Sequence, residues 1–197
     1  MGAVGGAVPL DRTYPIEIAR RFAAEDLATP SAAEVERGEE DGLAGNQHYQ
    51  DLRGVTWQEV AAAVGREAEL IARFDIASDL DEEADLLDEE RAEAVFPEDD
   101  LWGLDVGVAG AAVALSALGA TPASSCNAGG FGGQHIARFP YVAFYIGDAN
   151  PAEILALATD AEIGLDTVDG LGRLYGARDR DLHRFAALAL RRHRVGE

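Results

Sequence analysis

Apolar positions recur at helical spacing over most of the chain and shift to short strand-like runs between residues 121 and 177. In "PIEIARRFAAEDL", Ile18, Ala19, Phe22 and Ala23 share one helical face and Pro15 suits an opening turn, so residues 15–27 are expected to form a first helix. From residue 29 to 46 Glu, Gly and Ser dominate, which reads as a loop. Thr56 and Glu59 then make a T-x-x-E capping box. The helix behind it should run to about Asp75, with Trp57, Val60, Val64, Ala68 and Ile71 along one stripe. Ser78 is the expected cap of "DLDEEADLLDEERAEAVF", with Asp81 and Glu82 near the positive end of its dipole. Its apolar stripe is thin: Leu80, Ala84, Leu87 and Ala94, interrupted by Arg91, with Pro97 closing the helix.

The second half is ordered differently. Leu104, Val108, Ala111, Leu115 and Leu118 repeat at helical spacing with small residues on the other faces, and Gly119 suits the stop, so this helix belongs inside the fold. "TPASSC" and "YVAFYIG" read as strands, and Asn150-Pro151-x-Glu153 opens a helix. "EIGLDTV" and "LGRLYGA" follow as a hairpin joined by Asp169-Gly170. A last helix starts near Asp181, buries Leu182, Phe185, Ala186 and Ala189, and ends in Arg191, Arg192, His193 and Arg194. The expectation is an α+β fold. An α-β-β-α-β-β-α core over residues 101–197 carries a mainly antiparallel four-stranded sheet, and residues 1–100 form an acidic helical region beside it.

Charge changes this picture more than composition does. An apolar fraction of 48% in 197 residues fits one globular unit rather than a disordered chain. Residues 1–24 hold 2 acids and 3 Arg, residues 25–105 hold 25 acids and 5 Arg, and residues 106–197 hold 9 acids and 8 Arg. The middle segment therefore carries the whole net charge of −20. Acidity spread to tolerate salt would not cluster in this way. Such a field repels phosphate backbones, so direct nucleic-acid binding is not expected, and it attracts basic surfaces. Solvated helices that keep the protein soluble are the plainer explanation of the same acids.

One cysteine excludes an internal disulfide framework and a Cys-based structural zinc site. The N-terminus lacks a basic export signal, and Gly6 breaks the myristoylation pattern. The apolar run from Val106 to Leu118 is too short for a bilayer, which needs about 20 residues. A cytoplasmic protein with no membrane span is the expectation.

The candidate chemistry sits in "SSCNAGGFGGQH", residues 124–135, inside the charge-free stretch from Val106 to Ala137. Ser124, Ser125, Cys126 and Asn127 end a strand, and Gly129, Gly130, Gly132 and Gly133 allow positive φ or close approach to a ligand. It is neither a Walker loop nor a dinucleotide fingerprint. Cys126 is a candidate nucleophile with His135 as its base, and Asp105 and Asp148 are the nearest carboxylates in sequence. The competing reading is an inert buried thiol and a loop histidine bonded to a carbonyl. His48, His135, His183 and His193 show no close ligand spacing, so neither a metal nor a cofactor is expected.

The block from about residue 103 to 147, with its L-D-x-G-V-A helix, S-S-C-N-x-G turn and P-x-V-A-F strand, resembles a segment of bacterial proteins with no assigned activity. More faintly, Ser124-Ser125-Cys126 with the following strand is similar to the S-x-S-C-S-G-R block of the tRNA wybutosine-synthesising methyltransferases. Asn127-Ala128-Gly129 replaces the Ser-Gly-Arg of that block, so this resemblance implies local fold alone.

Two functions follow from the sequence. In the first, the protein is an acidic binding module, of inhibitor or immunity type or a complex subunit, engaging a basic protein partner through residues 25–105. Leu80, Ala84 and Leu87 would serve as apolar anchors and Asp81, Glu82, Asp85 and Glu89 as the charged rim. In the second, it is a small-molecule-binding protein or enzyme with its site at the Ser124–His135 loop.

Overall fold

The computed structural model describes residues 11–28, 52, 54–93, 101–133, 135 and 137–194. The elements in chain order are β1 (Arg20–Arg21), α1 (Trp57–Ile76), α2 (Leu80–Arg91), α3 (Ala109–Ala117), β2 (Thr121–Cys126), β3 (Tyr141–Tyr145), α4 (Pro151–Asp160), β4 (Gly164–Val168), β5 (Leu171–Tyr175) and α5 (Asp181–Arg194). The sheet runs β1-β4-β5-β3-β2, parallel between β1 and β4 and antiparallel elsewhere. The α+β class stands, but the sheet is mixed and five-stranded rather than a mainly antiparallel four-stranded one.

The fifth strand comes from the segment expected as a first helix. Arg20 and Arg21 pair with Leu165 and Asp166, and Leu165 N–H donates to the Ala19 carbonyl at 2.9 Å. Only a short 3-10 turn, Ala24–Asp26, is helical here. The Tyr175 hydroxyl accepts from Ala19 N–H at 3.0 Å, and Phe22 packs on Phe144 with ring centroids 6.2 Å apart. An open edge of β4 and a pocket for Phe22 outweigh local helical spacing. From Asp11 to Ile18 burial alternates with period two, Arg12, Tyr14, Ile16 and Ile18 being the half-buried set.

Most other boundaries are set by local caps and turns, but α3 begins only at Ala109, so Leu104 and Val108, expected on its face, lie before it. Thr56 and Glu59 cap α1 reciprocally. Ala68 is exposed, and the buried face is instead Val60, Ala63, Val64, Glu67, Leu70, Ile71 and Phe74. Asp79, one residue past the expected Ser78, caps α2 by accepting from Asp81 and Glu82 N–H, because its carboxylate reaches both amides. Helix α2 ends at Arg91, with Ala92 as its C-cap, short of the expected continuation; Ala94 and the loop at 29–46 lie outside the described residues. Asp169 and Gly170 adopt φ of 52° and 81°, as the tight β4–β5 turn requires.

One apolar core spans α1, α3, α4, α5 and one face of the sheet. It includes Val60, Val113, Leu115, Phe144, Ile154, Leu157, Leu174 and Phe185. Each such side chain, removed from water, contributes about 1.5–3 kcal/mol before entropy is charged against it. A second cluster joins Phe74, Leu87, Leu101, Val106, Ala109 and Phe131, with Leu80 and Ala84 against it. That cluster ties the acidic helix α2 to the glycine loop. Among the described residues no helix is long and apolar enough to cross a membrane.

Candidate functional site

Three elements deliver the site. The stretch before α3 supplies Asp105, the end of β2 supplies Cys126, and the glycine loop supplies His135. The first is held by a buried carboxylate. Glu67 of α1, 0% exposed, accepts from Gly107 N–H at 3.0 Å and Gly110 N–H at 3.3 Å, and its other oxygen lies 2.6 Å from His183 Nδ1. A carboxylate is well placed there, against the free amides at a helix start.

Asn127, buried, ties the second element to the first. Its side-chain amide donates to the Val106 carbonyl at 3.1 Å, its side-chain oxygen accepts from Gly129 N–H at 2.8 Å, and its backbone N–H donates to Asp105 Oδ2 at 3.3 Å. The chain then turns through left-handed Ala128 and Gly129. Gly130 and Gly132 answer to close approach. A Cβ on Gly130 would overlap the Asp179 carboxylate, and one on Gly132, at φ +78°, would overlap the Leu80 carbonyl at the start of α2. Asp81 closes that contact by accepting from Gly133 N–H at 3.0 Å.

The N-terminal segment braces the loop from the other side. Tyr14 OH donates to Asp179 at 2.6 Å, Arg12 N–H donates to the same carboxylate at 2.8 Å, and the Arg12 guanidinium donates to the Ala128 carbonyl at 3.1 Å. Burial and the Asp179 carboxylate push the Tyr14 phenol well above its ordinary range.

Within this frame Cys126 Sγ lies 3.4 Å from His135 Nδ1, and Asp105 Oδ2 lies 3.4 Å from the same nitrogen. Burial opposes ionisation of Cys126. The hydrogen bond with His135 and the N–H groups of Ala128 and Ala137 outweigh it, and the thiol falls below its ordinary range. His135 is raised by its bond to Cys126 and by the Asp105 charge, against a burial cost. A second bond ties the ring to the Gly132 backbone. Asp105, Cys126 and His135 present ligand atoms all within 4.8 Å of one another.

An open cavity of about 220 Å³ adjoins the group. Phe74, Leu87, Val106 and Phe131 form its apolar wall, and Asp105, Asn127, His135, Asp88 and Arg91 its polar rim. Phe131 stands edge-on to Phe74 with centroids 5.7 Å apart, and Arg91 donates to the Leu104 carbonyl at 2.8 Å.

The residues singled out in the sequence divide accordingly. Cys126, Asn127 and His135 come together, and Asp105 joins them. Asp148 sits at the far end of β3, donating its N–H to the Gly119 carbonyl. Ser124 and Ser125 are half-buried in β2, in register with Ala143 and Val142, and do not line the cavity. Gly129 packs beside the His135 ring. On α2, Leu80, Ala84 and Leu87 turn inward onto the second apolar cluster, while Asp81, Glu82, Asp85 and Glu89 are exposed. Phe74, Val106, Phe131 and Arg91 were not identifiable as site residues, and Leu87 was expected to face a partner rather than the loop, because only tertiary packing brings α1 and α2 there. No family model matches the chain, and no curated protein or solved structure matches it.

Proposed function

We propose that the protein is a small-molecule-binding protein or enzyme whose site is the Ser124–His135 loop, with Cys126 and His135 at its centre. One observation carries this reading: Asp105, Cys126 and His135 converge, and two of them, Asp105 and His135, line a cavity with an apolar wall and a polar rim. Pockets for small ligands combine those two features, the wall supplying affinity and the few polar groups orientation. At about 220 Å³ the space suits a compact molecule rather than a polymer segment.

Engagement of a basic protein through residues 25–105 is supported by the exposed acids Glu82, Asp85 and Glu89. The anchors expected on α2, Leu80, Ala84 and Leu87, are used in the protein's own packing, which leaves Leu86 as the exposed large apolar side chain of that helix. The small-molecule reading is the stronger for that reason.

Ala84 lines the cavity, so Ala84→Phe places a ring in it while Asp105, Cys126 and His135 keep their own side chains. Fragments that raise the melting temperature of the wild-type protein should lose at least about tenfold in affinity for this variant, the equivalent of about 1.4 kcal/mol. Equal stabilisation of both proteins would place the ligand elsewhere and overturn the reading.

A further inference from the structure

We propose that Asp105, Cys126 and His135 are three ligands of a divalent metal ion of the zinc class, with the fourth position open to the cavity. This rests on the same site and names the group it holds.

In a nucleophilic triad the carboxylate bonds one ring nitrogen and the nucleophile the other. Here Cys126 Sγ and Asp105 Oδ2 both lie 3.4 Å from Nδ1 of His135. A single N–H cannot satisfy two acceptors fully, and two potential anions face each other across it. A cation at their common centre resolves the conflict, because all three atoms then turn lone pairs toward it.

The distances agree. Zinc bonds of about 2.3 Å to sulfur and 2.0–2.2 Å to nitrogen and oxygen, at tetrahedral angles, separate S from N by about 3.6 Å and N from O by about 3.4 Å. The observed separations are 3.4 Å and 3.4 Å. Each ligand also has the outer support that fixes such groups. Asp105 Oδ2 accepts from Asn127 N–H, Cys126 Sγ accepts from Ala128 N–H at 3.4 Å, and the His135 ring is bonded to the Gly132 backbone.

An independent feature is the opening beside the three ligands. Asp105 and His135 line the 220 Å³ cavity and Cys126 does not, so an ion held by the three would have two of its ligands at the cavity wall. Three protein ligands and an open position characterise catalytic rather than structural zinc. The mixture of thiolate, imidazole and carboxylate favours zinc, and its spectroscopic substitute cobalt, over magnesium or calcium.

The test uses the full chain, stripped of metal and titrated with Co²⁺ alone. Saturation at one ion per chain, with thiolate-to-cobalt charge-transfer absorption and the intense visible bands of four-coordinate cobalt, is expected, and Zn²⁺ should displace it. Cys126→Ser should abolish the charge-transfer band, and Asp105→Asn should weaken cobalt binding at least about tenfold. Both variants should melt with the metal-free wild type, which separates loss of a ligand from loss of the fold. Absence of the charge-transfer band in the wild type, its persistence in Cys126→Ser, or only weak six-coordinate binding would overturn the proposal. No organic ligand is present in this titration. A negative result therefore removes the metal alone, whereas the Ala84→Phe comparison tests the cavity itself.

Discussion

At the residue scale the glycine loop is held by what its glycines lack. Gly132 has φ +78°, and a Cβ there would meet the Leu80 carbonyl and press on the Ala84 methyl. Gly132→Ala combines a left-handed backbone with an overlap against helix backbone that cannot swing aside. We expect a loss of about 3 kcal/mol, seen as a melting temperature lower by roughly 10 °C in a chain of this size. Gly65 of α1 is the control, having negative φ and open space around its Cα. Gly65→Ala should leave stability unchanged or raise it by about 0.5–1 kcal/mol. Equal melting of the two variants would show that α2 does not sit on the loop as described. The sequence marked this loop as one that tolerates positive φ. It did not show that helix backbone would be the close neighbour, because α2 lies about fifty residues away along the chain.

At the scale of elements, the buried Glu67 joins α1 to the start of α3 and so positions the stretch that carries Asp105. Its loss leaves the N–H groups of Gly107 and Gly110 and the His183 ring without their buried partner. Glu67→Ala should cost about 3 kcal/mol in chemical denaturation, and Glu67→Gln less, since its amide oxygen still accepts from the glycine amides. A change below about 0.5 kcal/mol for Glu67→Ala, the range of ordinary surface substitutions, would contradict this role.

Elements defined by their own caps and turns were legible from sequence. Thr56 with Glu59, Asn150 with Pro151, and Asp169 with Gly170 each specify a boundary within four residues. Strand β1 was not. Two residues of pairing are decided by the exposed edge of β4 and by the site that takes Phe22, neither of which is local. The alternation of Tyr14, Ile16 and Ile18 was the signal available, and helical spacing of Ile18, Ala19, Phe22 and Ala23 competed with it. The same limit applied at the site. Cys126 and His135 were close in sequence and could be paired, but Asp105 joins them through the Asn127 bridge to Asp105 and Val106.

At the scale of the whole molecule, charge and chemistry occupy adjoining surfaces. The acidic helix α2 presents Glu82, Asp85 and Glu89 outward and encloses the cavity with Ala84, Leu87 and Asp88 from within. A net charge of −20 concentrates cations near the surface, and a cation site fits that field. Arg73 restrains part of this repulsion by bridging Glu83 and Glu90, holding α1 to α2 beside the site. The acidity therefore has a place in the small-molecule reading, as the outer shell of the helix that covers it.

In the proposed function, the space between α2 and the glycine loop is where this protein meets its ligand. Crystallographic fragment screening measures that most directly. Bound fragments are expected in this cavity, stacked on Phe131 and hydrogen-bonded to Asn127 or His135. Fragments gathered on other surfaces, with this cavity left to solvent, would contradict it.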